Sequence, residues 1–372
     1  MTRAVAEVDL GAVTANVATL KALAGTATMA VVKADGYGHG AVPVARAALA
    51  GGADLLGVAY PVEALTLRRA GVDAPVLAWL WTPDEDVAPA LAAGTMLGVS
   101  SLAQLDRVRA ARVPGTTVHL KVDTGLGRGG AGPADWAALC RAAAAAQHAG
   151  ELTVQGVMSH LGSSEVIGDR SIGEQRATFE AALATAADAG LTPRYRHLAN
   201  TAAAIGTPDT RYDLVRVGIG IYGLDPLDGV GLRDTHGLRP AMTLRATVAL
   251  TKRVPAGSGV SYGFSYRTAT ESTLALVPIG YADGVPRAAS SRAEVAVGGR
   301  RYRIAGRVAM DQVVIDVGDD EVRAGDQVTL FGDGRRGEPT AAEWATACDT
   351  IDYEIVTRIG ARVPRVHLGG VR

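Results

Sequence analysis

The chain has 372 residues, 48% hydrophobic and 20% charged, which supplies a sizeable core and excludes wholesale disorder. Its formal net charge is −1, from 37 basic and 38 acidic residues, so no excess of one sign draws it to nucleic acid or an anionic membrane. Glu7 and Asp9 interrupt the apolar stretch that a signal peptide needs, no later run is long enough to span a bilayer, and Cys140 and Cys348 stand far apart with no CxxC. A soluble, cytoplasmic protein with neither a disulfide framework nor a metal site is the expectation.

From residue 28 to about 217, short apolar runs alternate with longer Ala/Leu-rich amphipathic stretches. The runs at 29–33, 55–58, 76–80, 97–99, 118–122, 154–159, 195–198 and 214–217 read as strands. Their continuous apolar character suits parallel strands covered on both faces. Helices are expected at 42–49, 61–70, 102–111, 134–149 and 173–189, several of them closed by glycine, as at Gly51, Gly71, Gly150 and Gly190. Strands alternating with helices over this length fit an α/β fold of the (β/α)8 TIM-barrel type better than an open sheet. The stretch 225–240 is rich in Gly, Pro and Asp and reads as a linker. Short β-type runs follow at 242–250, 273–278, 294–297, 302–305, 312–317 and 327–331, with one helix near 341–347. The chain therefore divides into a barrel over 1–235 and a mostly-β domain over 236–372, with a strand at 4–9 able to join the second domain instead of the first.

Active sites of such barrels lie at the C-terminal ends of the strands, so the polar residues there carry the argument. Lys33 closes the first strand, ahead of a glycine-rich turn that holds Tyr37. Lys121 lies on the fifth strand and leads to Arg128, and His160 follows the sixth. His197, Asn200 and Thr201 end the seventh, and Arg216 sits in the eighth, ahead of Gly218 and Ile219. Only four of the 37 basic residues are lysine (Lys21, Lys33, Lys121 and Lys252), so a lysine kept at an apolar strand end stands out. A partly desolvated amine there has a lowered pKa and can form an imine with a carbonyl; the alternative is a lysine that snorkels out of the strand end. Thr201 opens a short helix whose free N–H groups favour an anion, although by itself it reads as an ordinary N-cap. An imine-capable lysine beside an anion site points to pyridoxal phosphate. The GxGxxG pattern at 218–223 follows a strand, but LDPLDG and no helix comes next, so the dinucleotide reading is rejected.

Several motifs extend these positions: VVKADGYGHG at 31–40, KVDTG at 121–125 with Arg128, HLANT at 197–201 and RVGIGIYG at 216–223. VSYG at 260–263, GYADG at 280–284 and MDQ at 310–312 complete the set. In this order they resemble the alanine racemase family, fold-type III pyridoxal-phosphate enzymes, over essentially the full chain. The resemblance implies an N-terminal barrel with a C-terminal β domain, pyridoxal 5′-phosphate as cofactor, and a homodimer with shared sites. Lys33 would hold the cofactor through an imine and act as one base, with Tyr262 of the partner subunit as the other. Arg216 would face the pyridine nitrogen with His197 behind it, His160 would sit close to Tyr262, and Arg128 would contact the phenolic oxygen. Tyr37, Thr201, Gly218, Ile219 and Tyr353 would hold the phosphate, with Asn200 also among the cofactor-binding residues. Met310 and Asp311 would meet the substrate, and Tyr281 with Tyr353 would narrow the entrance.

The activity so implied is interconversion of L- and D-alanine, supplying D-alanine for peptidoglycan. Removing the α-proton from one face and returning one to the other needs a base on each side. A racemase for serine or another amino acid, and a decarboxylase of the same fold type, are the competing readings; no catalytic cysteine motif accompanies VSYG. The segment LGSSEVIGDRS at 161–171 departs from the family pattern, where an alanine- and aspartate-containing stretch is expected. Lys121, by alternation, points into the same mouth as Lys33 and Arg216. A carbamate on Lys121, as some family members carry at the matching position, would reverse its sign and orient Arg128; the alternative is an unmodified lysine paired with Asp123 or a bound anion.

Overall fold

The structure, a computed structural model, describes residues 3–227 and 236–369. The boundary expected at 235 and half of the expected linker at 225–240 fall on residues 228–235, outside the described residues.

The first strand, β1 (Ala4–Asp9), alternates buried and half-buried positions and does not enter the barrel. It pairs antiparallel with Met242–Thr247 and parallel with Arg365–Leu368, inside the sheet of the C-terminal domain. Asp9 then caps the helix Leu10–Ala24 by accepting the Ala12 N–H at 3.0 Å, and Gly25 ends that helix in the left-handed conformation that glycine adopts without penalty. The N-terminus thus ties the two domains together.

Eight parallel strands follow: β2 (Ala27–Val31), β3 (Leu55–Val58), β4 (Val76–Ala78), β5 (Thr95–Val99), β6 (Thr117–Lys121), β7 (Thr153–Met158), β8 (Tyr195–His197) and β9 (Leu214–Val217). They lie in chain order, with β9 returning to pair with β2. At the remaining seam, Asp213 N–H reaches Arg196 O at 3.1 Å and Arg216 N–H reaches Ala199 O at 3.0 Å, which draws β8 and β9 together. Inside the sheet, Met29, Leu55, Leu77, Met96, Met158, Tyr195 and Leu214 form one buried cluster. Each such side chain contributes about 1.5–3 kcal/mol when fully buried, so the barrel is a packed core with chemistry confined to its mouth.

The C-terminal domain has a six-stranded sheet that includes β1 and a three-stranded sheet of Leu250–Val254, Ser272–Val277 and Val313–Gly318. Its helix Ala341–Cys348 packs on its own domain, where Trp344 Nε1 donates to Glu294 O at 2.9 Å, and the helix Asp352–Thr357 follows it. The second of these closes on the turn after Lys33: a Cβ at Gly38 would lie 2.5 Å from Val356 O, and Arg365 Nε donates to Gly38 O at 2.9 Å. No helix among the described residues is long and apolar enough to cross a membrane.

Candidate active site

Lys33 does not end a strand as expected: β2 stops at Val31, and the lysine opens a tight turn. Ala34, Asp35, Gly36 and Tyr37 all take left-handed backbone angles, with φ of 52°, 51°, 62° and 51°. Each non-glycine residue there costs about 1–2 kcal/mol, so the turn has to be held from outside. Asp35 Oδ1 accepts the Ala41 N–H at 2.7 Å, and Glu63 Oε1 accepts the Ala34 N–H at 2.7 Å. His39, fully buried, hydrogen-bonds the carbonyls of Gly36 and Tyr37 through Nδ1 at 3.1 and 2.9 Å. The result turns Tyr37 inward, where its ring packs on Tyr222 and Tyr353 with centroids 4.9 and 6.2 Å away.

At the C-terminal mouth of the barrel lies a cavity of about 250 Å³. Lys33, Lys121, Arg128 and Arg216 line it, and no Asp or Glu among the described residues does. His160, Asn200, Thr201, Gly218, Ile219, Tyr37 and Tyr353 complete the wall from the set expected from sequence. Burial, then the charge of Arg128, lowers the pKa of Lys33, with Glu63 opposing. Burial, then Arg216 and Arg128, lowers Lys121 to about 8. A larger cleft of about 570 Å³ on the C-terminal domain mixes both signs of charge, and its Arg300 and Asp320 already pair with each other.

Arg216 is 5% exposed and organises the floor. Its Nη1 donates to His197 O at 2.9 Å and its Nη2 to Ser159 O and Leu198 O at 2.7 and 3.0 Å. The same nitrogens reach His197 Nδ1 at 3.1 Å and His160 Nδ1 at 3.2 Å. Because guanidinium only donates, both histidines accept, and His197 must carry its proton on Nε2, which meets His119 Nδ1 at 2.8 Å. These bonds leave Arg216 Nε with no protein acceptor among the described residues. Burial pulls the guanidinium down to about 10, which still leaves it charged at neutral pH.

Asn200 caps the helix Thr201–Gly206 by accepting the Ala203 N–H at 3.1 Å, and is itself bonded to Ser164, within the unusual 161–171 segment. Thr201 Oγ1 accepts the Gly218 N–H at 2.9 Å, so the two expected anion loops are joined. Gly218 has no room for a side chain, since a Cβ would lie 2.5 Å from Tyr37 Oη. The short 3₁₀ turn Ile219–Tyr222 stands where a dinucleotide fold would start a helix.

Tyr262, Tyr281, Met310 and Asp311 are not brought to this cavity. They sit on the C-terminal domain, with Tyr262 69% and Met310 53% exposed and Asp311 paired to Arg362 at 2.7 Å. Sequence reasoning also missed residues that build the site. Trp79 lines the cavity by lying across Gly57 and Gly98, whose absent side chains make its room: Cβ atoms there would approach it to 2.7 and 2.9 Å. Glycines inside two apolar strands were the available signal. Glu63, at the third position of the helix Pro61–Arg69, and His119, facing inward on β6, carried only the marks of a helix start and a polar residue in a strand.

Four histidines around the site are held neutral. Burial is the first cause in each, bringing His39 and His119 to about 4 and His160 to about 3, and holding His197 well below 6.5. Their folded values lie below the unfolded one, so the unfolded chain binds more protons in acid and stability falls as pH drops from about 6.5 toward 4. At pH 5, unfolding of the cofactor-free protein should take up about three to four protons from these groups. Urea midpoints that stay flat between pH 6.5 and 4 would contradict this.

The comparisons with known proteins agree with this geometry. The family model for the alanine racemase N-terminal domain matches residues 8–226, and that for the C-terminal domain matches 241–367. A protein named alanine racemase from Thermobifida fusca is 56% identical, covering 99% of this chain and 98% of its own length. Another, from Frankia casuarinae, is 56% identical over 98% of this chain and 96% of its own. The crystal structure of alanine racemase from the D-cycloserine producer Streptomyces lavendulae superposes with a TM-score of 0.98 at 52% identity, covering 100% of this chain and 98% of that one. With both domains matched and the barrel, the β domain and full-length relatives in accord, the chain belongs to the alanine racemase family of isomerases.

Proposed function

We propose that the chain interconverts L- and D-alanine with pyridoxal 5′-phosphate held in the barrel mouth. The carrying observation is the cavity lined by two lysines and two arginines with no carboxylate, which suits a ligand bearing a phosphate and a substrate bearing a carboxylate. The cofactor fits the residues present in three ways. Lys33 offers an amine whose pKa is lowered. Arg216 offers a donor, Nε, without an acceptor among the described residues, suited to the ring nitrogen. The Thr201 helix start, the Gly218–Ile219 backbone, Tyr37 and Tyr353 surround the place where the phosphate would sit.

When bound, the cofactor supplies an electron sink that acidifies the α-C–H of the amino acid attached to it. The chain's own residues do the rest. Lys33 Nζ takes or returns the proton at Cα on one face. Tyr262 Oη of the partner subunit serves the opposite face, since Tyr262 is exposed here and lies outside its own chain's cavity. Arg216, permanently charged and fixed by His197, gives up no proton to the ring nitrogen, which restrains the sink and disfavours transamination. His160 lines the same wall, held neutral beside Arg216. Arg128 and the partner's Met310 and Asp311 orient the substrate, and Tyr281 with Tyr353 narrows its way in. This reading makes the active unit a homodimer, its product the D-alanine used in peptidoglycan, and its setting the cytoplasm.

The test is direct. Protein reconstituted with pyridoxal phosphate should racemise L-alanine, followed by loss of optical rotation, and act more slowly on L-serine. Release of carbon dioxide in place of racemisation would move the assignment to the decarboxylases.

Lys121 is part of the same reading. Asp123 is engaged by the N–H groups of Gly125 and Gly127 and makes no ion pair with it among the described residues, so burial, Arg216 and Arg128 outweigh the opposing charge of Asp123 at the lysine. An amine brought to about 8 adds to carbon dioxide, forming a carbamate and releasing one proton, and the product can accept the Arg128 N–H groups. Protein kept in ¹³C-bicarbonate should give a carbamate carbon resonance that disappears in Lys121→Ala. A spectrum without that resonance would leave Lys121 an ordinary lysine.

A further inference from the structure

We infer that Glu63 is a positioning residue for Lys33, its one carboxylate bridging the end of β3 to the residue that follows the lysine. The inference rests on the reading of Lys33 as the cofactor lysine.

Three backbone N–H groups converge on this carboxylate. Oε1 accepts from Ala34 at 2.7 Å, and Oε2 accepts from Ala59 at 2.8 Å and Tyr60 at 3.0 Å. Ala59 and Tyr60 follow β3 directly, whereas Ala34 is the first residue of the left-handed run. The run carries backbone bonds of its own, Gly36 N–H to Val32 O and Gly38 N–H to Ala34 O, both at 2.9 Å, but the Ala34 N–H at its start goes to Glu63, and the far end is pinned separately by Asp35 on the Ala41 N–H at 2.7 Å. Without Glu63, the peptide joining Lys33 to Ala34 would lose its only side-chain anchor among the described residues. The lysine side chain springs from that peptide, so its Nζ position follows the anchor.

The same carboxylate is the negative charge acting on Lys33. The other groups around the amine are Arg128 on the loop after β6, Lys121 on β6, Arg216 on β9, neutral His160 after β7, and the Tyr37 ring 5.8 Å away. All the charged ones are positive. Glu63 stands one layer behind the cavity wall, where it offsets them without occupying substrate space. It is half-buried on the first turn of its helix, a place where substitution leaves the core intact.

A carboxamide cannot replace it. The two oxygens serve opposite sides, so glutamine turns an NH₂ group toward one set of donors and removes the charge as well. Aspartate retains the charge but falls one methylene short. The experiment titrates cofactor-free protein with pyridoxal phosphate across pH and follows imine absorbance, after borohydride trapping and peptide mapping of the unsubstituted protein. A label on a lysine other than Lys33 would defeat the Lys33 reading, which is a separate failure. For Glu63→Gln, the dissociation constant should rise about tenfold, and the pH midpoint of capture should move lower, because the unopposed cations keep the amine neutral to lower pH. For Glu63→Asp, affinity should fall with the midpoint unmoved. A glutamine variant with either unaltered affinity or an unaltered midpoint overturns the proposal, as does an aspartate variant that shifts the midpoint like glutamine.

Discussion

Lys33→Ala is expected to lower racemisation by about 10⁴-fold, the loss that follows when a base acting directly on the reacting carbon is removed. The residue combines two tasks in the proposed mechanism, since it both holds the cofactor and handles the proton at Cα on one face. No neighbour can stand in for it. Lys121 is the other lysine on the cavity wall, but it leaves from the end of β6 and lacks the turn that aims Lys33. The fold should survive, because the left-handed turn is held by Glu63, Asp35 and His39 and not by the lysine side chain. Cofactor should still enter through its phosphate, but without a borohydride-stable link. A variant that retains more than about a hundredth of the activity would remove Lys33 from the chemistry.

Tyr262→Phe should cost about 10³-fold or more in racemisation while leaving cofactor binding near normal, since the hydroxyl lies outside the cavity of its own chain. One asymmetry distinguishes a lost base from a damaged site. With Lys33 intact, the enantiomer whose α-hydrogen faces it should still exchange that hydrogen with deuterated water, without inversion, whereas the other enantiomer should not. Equal exchange of both would argue against a one-face role. Mixing this variant with Lys33→Ala tests the subunit boundary. In a hybrid dimer one site loses both bases and the other retains both, so random reassortment should recover about a quarter of the full activity. No recovery would place both bases within one chain. Tyr262, Phe264, Tyr281 and Met310 of the C-terminal domain are exposed apolar side chains that such a pairing would cover.

Much of this architecture is legible without coordinates, because it follows from local pattern. Runs such as Leu55–Val58 and Thr95–Val99 are buried at every position, and an unbroken apolar run between two helices has few homes other than a parallel strand covered on both sides. Of the glycines expected to close helices, Gly71, Gly150 and Gly190 do so with positive φ, whereas Gly51 caps its helix in the right-handed region. The candidate site was legible for a similar reason: at the barrel mouth, Lys33, Lys121, Arg128 and Arg216 stand against a chain that otherwise uses arginine at its surface.

What local pattern cannot express is which distant atoms satisfy a strained or buried group. A run of five left-handed residues after Lys33 is unfavourable in isolation, and beside the local bonds of Asp35 and His39 it is held by Glu63, thirty residues later, and by the helix bearing Tyr353. β1 carries the alternation of a half-exposed strand, which fits either domain; partners at Met242–Thr247 and Arg365–Leu368 decided for the second. The chain from His119 through His197 to Arg216 brings together residues from β6, β8 and β9, and its proton positions are set by a guanidinium that can only donate. The sequence by itself determined the strands, their parallel order and the cations at one end, since these depend on periodicity and on residue type. The tertiary structure alone decided where Lys33 points, which residues hold it and that Tyr262 stays outside its own chain's cavity, because buried polar groups and strained backbone are stabilised by partners that sequence distance does not reveal.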